Sequence, residues 1–349
     1  MANLVVITNP KDDHLIEAES KLTQTTNKPF TRNSLIMDKL SNTFTNALYV
    51  TCVDTPEYIE TQLRSTDIID DEYFDFLKNA WISFASSKDI EAEMTSPYDA
   101  GLVNYLFSKK PIDPHNIPYY LQCGIYGNDY CTSIFKHTFE AAIRSAFNGI
   151  IGLDYARPDR IVYCANIFPG HHATNTSYSG YCFLNNAAIC ATWLKYKNKC
   201  KVAILDIDFH HGDGTQEIFK DDDVLTVSIH GDPAKNYPFY TGYINENNRH
   251  NFNYPVGKNI DITTYLTFLN VAIKLINLAS TKYLIIAFGA DTYRNDPQGG
   301  LHIDLEDYIT MGRFIRKHFS GSILVTQEGG YCMEVVADIV KNFIQGLLD

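Results

Sequence analysis

Asp206, Asp208 and His210 are spaced by two within Asp206-Ile207-Asp208-Phe209-His210-His211-Gly212-Asp213-Gly214. In an extended segment that period turns all three side chains to one face, where a cation would meet two carboxylates and an imidazole. Tetrahedral catalytic zinc takes three protein ligands and keeps a further position for water or a carbonyl. Asp208, His210 and the distant Asp291 of Gly289-Ala290-Asp291 meet that need. Attack by water on a carbonyl also needs a base working near pH 7 and a donor for the developing oxyanion. The adjacent His171 and His172 offer the base, with Asp206 and Asp213 as carboxylate partners that would fix their tautomers. Tyr331 offers the oxyanion donor, and Gly329-Gly330 before it permits backbone angles that other residues avoid. Each of these signals alone has a plainer reading: a loop acid, an exposed histidine pair, a turn over a core tyrosine. Their concentration at neighbouring strand ends is what favours chemistry.

Those ends belong to five short apolar runs, at 161–166, 202–207, 224–229, 283–288 and 323–326. Near-continuous apolar strands predict a parallel sheet buried on both faces. Between them, 183–197, 263–280 and 305–319 carry apolar residues at helical spacing. The order predicts an α/β fold: one doubly wound, mainly parallel sheet flanked by helices, in a single domain over 1–349. In such sheets ligands gather beyond the carboxyl ends of the strands, where the candidate residues fall. The first 150 residues have helix-like stretches at 71–85 and 137–153 around a proline- and tyrosine-bearing segment, about 95–135, without clear period. A long irregular insert of that kind is expected at a substrate rim or a dimer contact.

The 349 residues, 45% of them hydrophobic, suffice for a sizeable core. A net charge of −12 repels nucleic-acid phosphates and anionic membranes, so neither is an expected partner. Eight cysteines include no C-x-x-C pair, and the apolar run at Leu4 to Ile7 is too short for a signal-peptide core or a membrane span. A cytoplasmic, reduced protein is expected.

The strings PGHHA (169–173), GYCFLNNAA (180–188), AILDIDFHHGDGTQEIF (203–219), GAD (289–291) and EGGY (328–331) together resemble the histone deacetylase superfamily. Within it, SIHGDPAKNYPFYTGY (228–243) and DYITMGR (307–313) look most like the bacterial acetylpolyamine amidohydrolases. The resemblance runs from about 137 to the last residue and more loosely before that. It implies the arginase-deacetylase fold and zinc-dependent hydrolysis of an N-acetyl amide to acetate and a free amine. It further implies Asp208, His210 and Asp291 as Zn2+ ligands, His172 as general base and acid, His171 as an electrostatic partner and Tyr331 as the group polarising the carbonyl. Tyr181 and Tyr237 become aromatic walls of a narrow channel, suited to a long alkyl amine. A structural monovalent cation, K+, is implied near Asp206, Asp208, His210 and Ser228, and a homodimer is one expectation for the 95–135 segment.

Two departures from the family pattern bear on substrate. The usual Arg-Pro-Pro before Gly-His-His reads Ile167-Phe168-Pro169, at the inner end of the pocket where the acetyl group must fit. Polyamine-selective members hold the distal ammonium with a mouth carboxylate, yet 114–123 contains no acid and the stretch after Asp296-Pro297 offers Gln298. Asp99, Asp113 and Asp129 are the substitutes considered. The alternatives are a protein lysine deacetylase, a non-catalytic acetyl-lysine binder and, ranked lowest, a two-metal arginase-like ureohydrolase; metals such as iron or cobalt suit the same ligand set.

Overall fold

A computed structural model of the chain describes residues 3–20, 27–86, 102 and 113–349. Eight strands form one sheet: β1 (Leu4–Thr8), β2 (Leu48–Thr51), β3 (Ile161–Ala165), β4 (Val202–Asp206), β5 (Leu225–Gly231), β6 (Asn251–Val256), β7 (Tyr283–Phe288) and β8 (Ser322–Gln327). Their order is β2-β1-β3-β8-β7-β4-β5-β6, and every adjacent pair is parallel. The expected doubly wound α/β sheet is therefore present. Between β3 and β4 the chain crosses the positions later filled by β8 and β7, so β3, β8, β7 and β4 lie side by side with their carboxyl ends on one rim. Such a change of direction opens the crevice in which open α/β sheets bind ligands.

The apolar runs form strands because both faces of the sheet are covered. On one face Val162, Ile204, Ile285 and Leu324 meet Ala187, Ala188 and Ala191 of the helix Asn186–Thr192. On the other, Tyr163, Leu205, Ile286 and Val325 share a core with Tyr265 and Leu269 of Ile262–Leu278 and with Ile339 and Phe343 of Val336–Leu348. Fully burying an aliphatic side chain contributes about 1.5–3 kcal/mol, so this double cover fixes the strand ends that carry the site.

A separate aromatic core, with Tyr73, Phe74 and Phe76 from the helix Asp71–Ala85, packs against Tyr126, Phe168, Tyr178 and Phe183. Asp70 caps that helix by accepting from the Tyr73 amide at 2.9 Å. The expected helix at 183–197 is shorter than its pattern: it starts at Asn186, capped by Asn185, and ends in a π-helical turn, Trp193–Lys197. Strands β1, β2 and β6 and the helix Pro29–Thr43 join the elements read from the sequence. Of the irregular 95–135 segment, 113–135 holds short helical turns at Pro114–Asn116, Tyr119–Gln122 and Cys123–Tyr126, and Leu102 bridges Ile134. Residues 95–101 and 103–112 of it, with Asp99, lie outside the described residues. No helix among the described residues is long and apolar enough to cross a membrane.

Candidate active site

Strand β4 ends at Asp206, so alternation along a strand does not by itself align Asp206, Asp208 and His210. Instead Asp206 turns to His171, while Asp208 and His210 converge on Asp291 from the end of β7. Asp208, His210 and Asp291 each present a donor atom within 4.8 Å of the others. His210 Nδ1 lies 3.0 Å from Asp291 Oδ2 and 3.3 Å from Asp208 Oδ1. Both carboxylates are buried. Burial, and then the Asp208 charge beside it, pushes the Asp291 carboxyl up to about 7. Burial also opposes charge on His210, yet its bonds to the two carboxylates lift the imidazole to about 10. Two buried carboxylates and one imidazole at this spacing carry surplus negative charge, and the set fits a divalent cation of the zinc type.

The adjacent histidines are chemically different. His171 Nδ1 is 3.0 Å from Asp206 Oδ2, and His172 Nδ1 is 2.6 Å from Asp213 Oδ1; the rings stand 4.0 Å apart. Burial disfavours the His171 cation, but Asp208 and Asp206 outweigh it and hold the group well above its usual value. Burial, and next the charge of His171, lowers His172 to about 4. His172 is therefore neutral near pH 7, with Nδ1–H donating to Asp213 and Nε2 open to accept a proton.

A second cluster, His171, Cys182 and Glu328, has donor atoms equally close. Its groups are already engaged. Glu328 accepts from the backbone amides of Gly170 and His171 at 2.5 and 3.1 Å and from the Thr326 hydroxyl at 2.9 Å. Burial holds the Cys182 thiol well above its usual range, so it is protonated and a poor metal ligand. Glu328 thus fixes the loop that carries the histidines, a role the sequence reading did not assign although the residue opens EGGY.

Tyr331 follows Gly330, which has φ +129° and whose missing side chain would lie 2.7 Å from Ala290 Cβ. Asp296 accepts from the amides of Tyr331 at 2.7 Å, Cys332 at 3.0 Å and Gln298 at 2.9 Å, tying this loop to the segment after Asp291. Burial keeps the Tyr331 phenol well above its usual pKa, as a neutral donor. Arg32, from the helix Pro29–Thr43, reaches the same place: it donates to the carbonyls of Ile167 at 3.1 Å and Gly330 at 3.4 Å and lies 5.9 Å from the Tyr331 ring centre. A buried guanidinium therefore stands directly beside Ile167 and the loop that carries Tyr331.

Tyr181 packs edge-on to Tyr331 at 5.9 Å, and Tyr237 edge-on to His172 at 4.8 Å. Gln298 Nε2 donates to the Tyr181 hydroxyl at 3.4 Å. Ser228 stands opposite Asp206 in the β4–β5 register, and its hydroxyl lies 2.7 Å from His230 Nδ1. Asp113 serves its own loop, whereas Asp129 also ties its loop to the segment beside Tyr181. Asp129 accepts from the amides of Cys131, Thr132 and Gly180, and Asp113 from the amide of His115 and the side chain of Asn116.

The histone deacetylase domain model matches residues 28–347. Among curated proteins, acetylpolyamine amidohydrolase 2 of Pseudomonas aeruginosa is 39% identical over 241 residues, covering 67% of this chain and 69% of that protein. The acetylpolyamine amidohydrolase of Mycoplana ramosa is 36% identical over 299 residues, 83% of each chain. In fold, the crystal structure of an acetylpolyamine aminohydrolase from Burkholderia pseudomallei superposes with a TM-score of 0.80 at 23% identity, over 98% of both chains. The HD domain of HDA15 gives 0.75 at 22% identity, over 100% of this chain and 90% of that one. The chain belongs to the histone deacetylase family, a family of deacetylase enzymes.

Proposed function

We propose that this chain is a zinc-dependent amidohydrolase that removes the acetyl group from a small N-acetylated amine, with acetylpolyamines as the substrate class. The observation that carries the reading is the convergence of Asp208, His210 and Asp291 beside a pair of adjacent imidazoles, each on its own carboxylate, His171 on Asp206 and His172 on Asp213. Asp208, His210 and Asp291 would hold Zn2+, which when bound supplies a Lewis acid for the amide carbonyl and makes water more acidic. His172 Nε2 takes a proton from the attacking water and later returns it to the leaving amine nitrogen, giving acetate and the free amine. The His171 cation and the Tyr331 hydroxyl stabilise the oxyanion as it forms, the phenol by donating a hydrogen bond. Tyr181 and Tyr237 flank the amine's alkyl chain.

A second reading, deacetylation of protein lysines, is favoured by the neutral Gln298 beside Tyr181 and by the engagement of Asp113 in its own loop. Both readings are tested by assaying zinc-loaded protein and its Tyr331→Phe variant on acetylputrescine, acetylspermidine, acetylcadaverine and an acetyl-lysine peptide. The expected result is preferential turnover of the small acetylated amines and a loss in kcat of about 100-fold or more on removing the phenol hydroxyl. Preference for the peptide selects the second reading, and no hydrolysis of any substrate by the zinc-loaded protein overturns both.

A further inference from the structure

Asp213 has two oxygens, and each has a different partner. Oδ1 meets His172 Nδ1, and Oδ2 accepts a hydrogen bond from the hydroxyl of Tyr240. Asp213 is 5% exposed, whereas Tyr240 is 68% exposed, so a surface residue completes the hydrogen bonding of a buried carboxylate. We infer that Tyr240 is a positioning residue for His172, acting through Asp213 as a latch between the loop at 237–243 and the base. The inference rests on the proposed role of His172.

The loop is built to make this contact. Phe239, between the two tyrosines, has φ +71°, a conformation a non-glycine residue keeps only where its surroundings enforce it. With that turn, Tyr237 packs on the His172 ring while Tyr240 bonds to the acid behind the same ring. A second tie runs in parallel. Glu246 accepts from the Thr241 hydroxyl, the amides of Gly242 and Tyr243 and the side chain of Gln216, and Gln216 lies on the same short helix, Asp213–Ile218, as Asp213. Gln216 also donates to the Thr241 hydroxyl at 2.8 Å, so loop and helix are joined through Glu246, through Thr241 and through Asp213, and of these Asp213 is the one bonded to His172.

A carboxylate with donors on both oxygens cannot rotate without breaking one of the bonds. It therefore holds His172 Nδ1–H in one direction and, across the ring, Nε2 in another. Tyr240 bonds to Asp213, and its effect on His172 passes through that carboxylate. Tyr237, on the same loop, touches the ring directly and is not needed for the latch.

The test is a double-mutant cycle on zinc-loaded protein with an acetylated diamine, using Tyr240→Phe, Asp213→Asn and the double variant. Tyr240→Phe is expected to lower kcat about 5- to 10-fold with KM changed less than twofold. The double variant is expected to match Asp213→Asn, because the phenol acts only through the acid. Wild-type kcat in Tyr240→Phe, or a loss that multiplies fully onto that of Asp213→Asn, overturns the latch. A second measurement does not depend on turnover. Nitration of Tyr240 by tetranitromethane, followed by peptide mass mapping, is expected to run several-fold faster in Asp213→Asn, since nitration needs the phenolate and the carboxylate opposes it. Equal nitration rates overturn the latch even if no substrate is hydrolysed, whereas an inactive wild type with the expected nitration difference overturns only the proposed function.

Discussion

Asp296 binds nothing in the proposed reaction, yet it decides where Tyr331 stands. Its carboxylate takes three amide N–H groups, two from the loop carrying the phenol and one from Gln298 at the mouth. Leaving a buried donor unpaired costs about 1–3 kcal/mol, so with three amides losing their acceptor Asp296→Ala should destabilise the protein by about 3 kcal/mol or more. Activity should fall more sharply than that average suggests, because the phenol must meet an oxyanion within a few tenths of an ångström. The expected result is a kcat reduced about 10-fold or more with KM changed less than twofold, read by steady-state kinetics beside urea unfolding. A loss confined to KM would mean that Asp296 serves the mouth through Gln298 and not the phenol. His172 shows the same dependence on supporting groups: its neutrality follows from burial and from the charge of His171, neither of which is visible in a pair of adjacent letters.

At the scale of elements, the 237–246 loop depends on one carboxylate. Burial opposes the charge on Glu246, but donors from Thr241, Gln216, Gly242 and Tyr243 outweigh it and hold the group below its ordinary 4.5. A carboxyl whose folded value is depressed contributes stability above its unfolded value and loses that contribution as pH falls through the folded one. Amide exchange at Gly242 and Tyr243, corrected for intrinsic rates, should therefore keep its protection down to about pH 4.5 and lose it below that, before the amides of β4 and β5 do. Glu246→Gln should show the weakened protection already at pH 7; unchanged protection in that variant would place the loop's order in its aromatic packing instead. Strands such as β7 and β8 were readable because burial on both faces demands unbroken apolar runs, and the loops after them carry the metal-capable residues. Strand β6 was not readable, since an edge position admits Pro255 and asparagines that an interior strand would refuse. Strand β2, at the other edge, is only partly buried and shows no clean pattern. Arg32 was out of reach for a related reason: its role exists only once the helix Pro29–Thr43 is packed beside β3, 135 residues away from Ile167. Asp113 shows the converse, an acid that composition offers to the rim and local turn chemistry claims for its own neighbours.

At the scale of the whole molecule, folding gathers negative charge into the centre of a chain that already carries −12. Asp206, Asp208, Asp213, Asp291 and Glu328 are all buried near the same rim. His171 and Arg32 offset part of this charge, but Asp208 and Asp291 still oppose each other, and burial with that repulsion pushes Asp291 up to about 7. A group with a folded value raised above its unfolded 3.8 destabilises the fold increasingly as pH rises between the two, so the metal-free protein should be weakest above pH 7. A divalent cation reverses the sign of that interaction, and binding to the folded form alone adds about 4 kcal/mol at a thousand times Kd. For a chain of 349 residues, with about 2.1 cal/mol/K of unfolding entropy per residue, that is a rise in Tm of about 5 °C. Calorimetry at pH 7.5 should show the increase on adding zinc to chelator-treated protein. Asp291→Asn should have a higher metal-free Tm than the wild type, because the repulsion is gone, and should lose most of the zinc-dependent rise. A zinc response undiminished in Asp291→Asn would assign the metal to other side chains and remove the basis of the proposed chemistry.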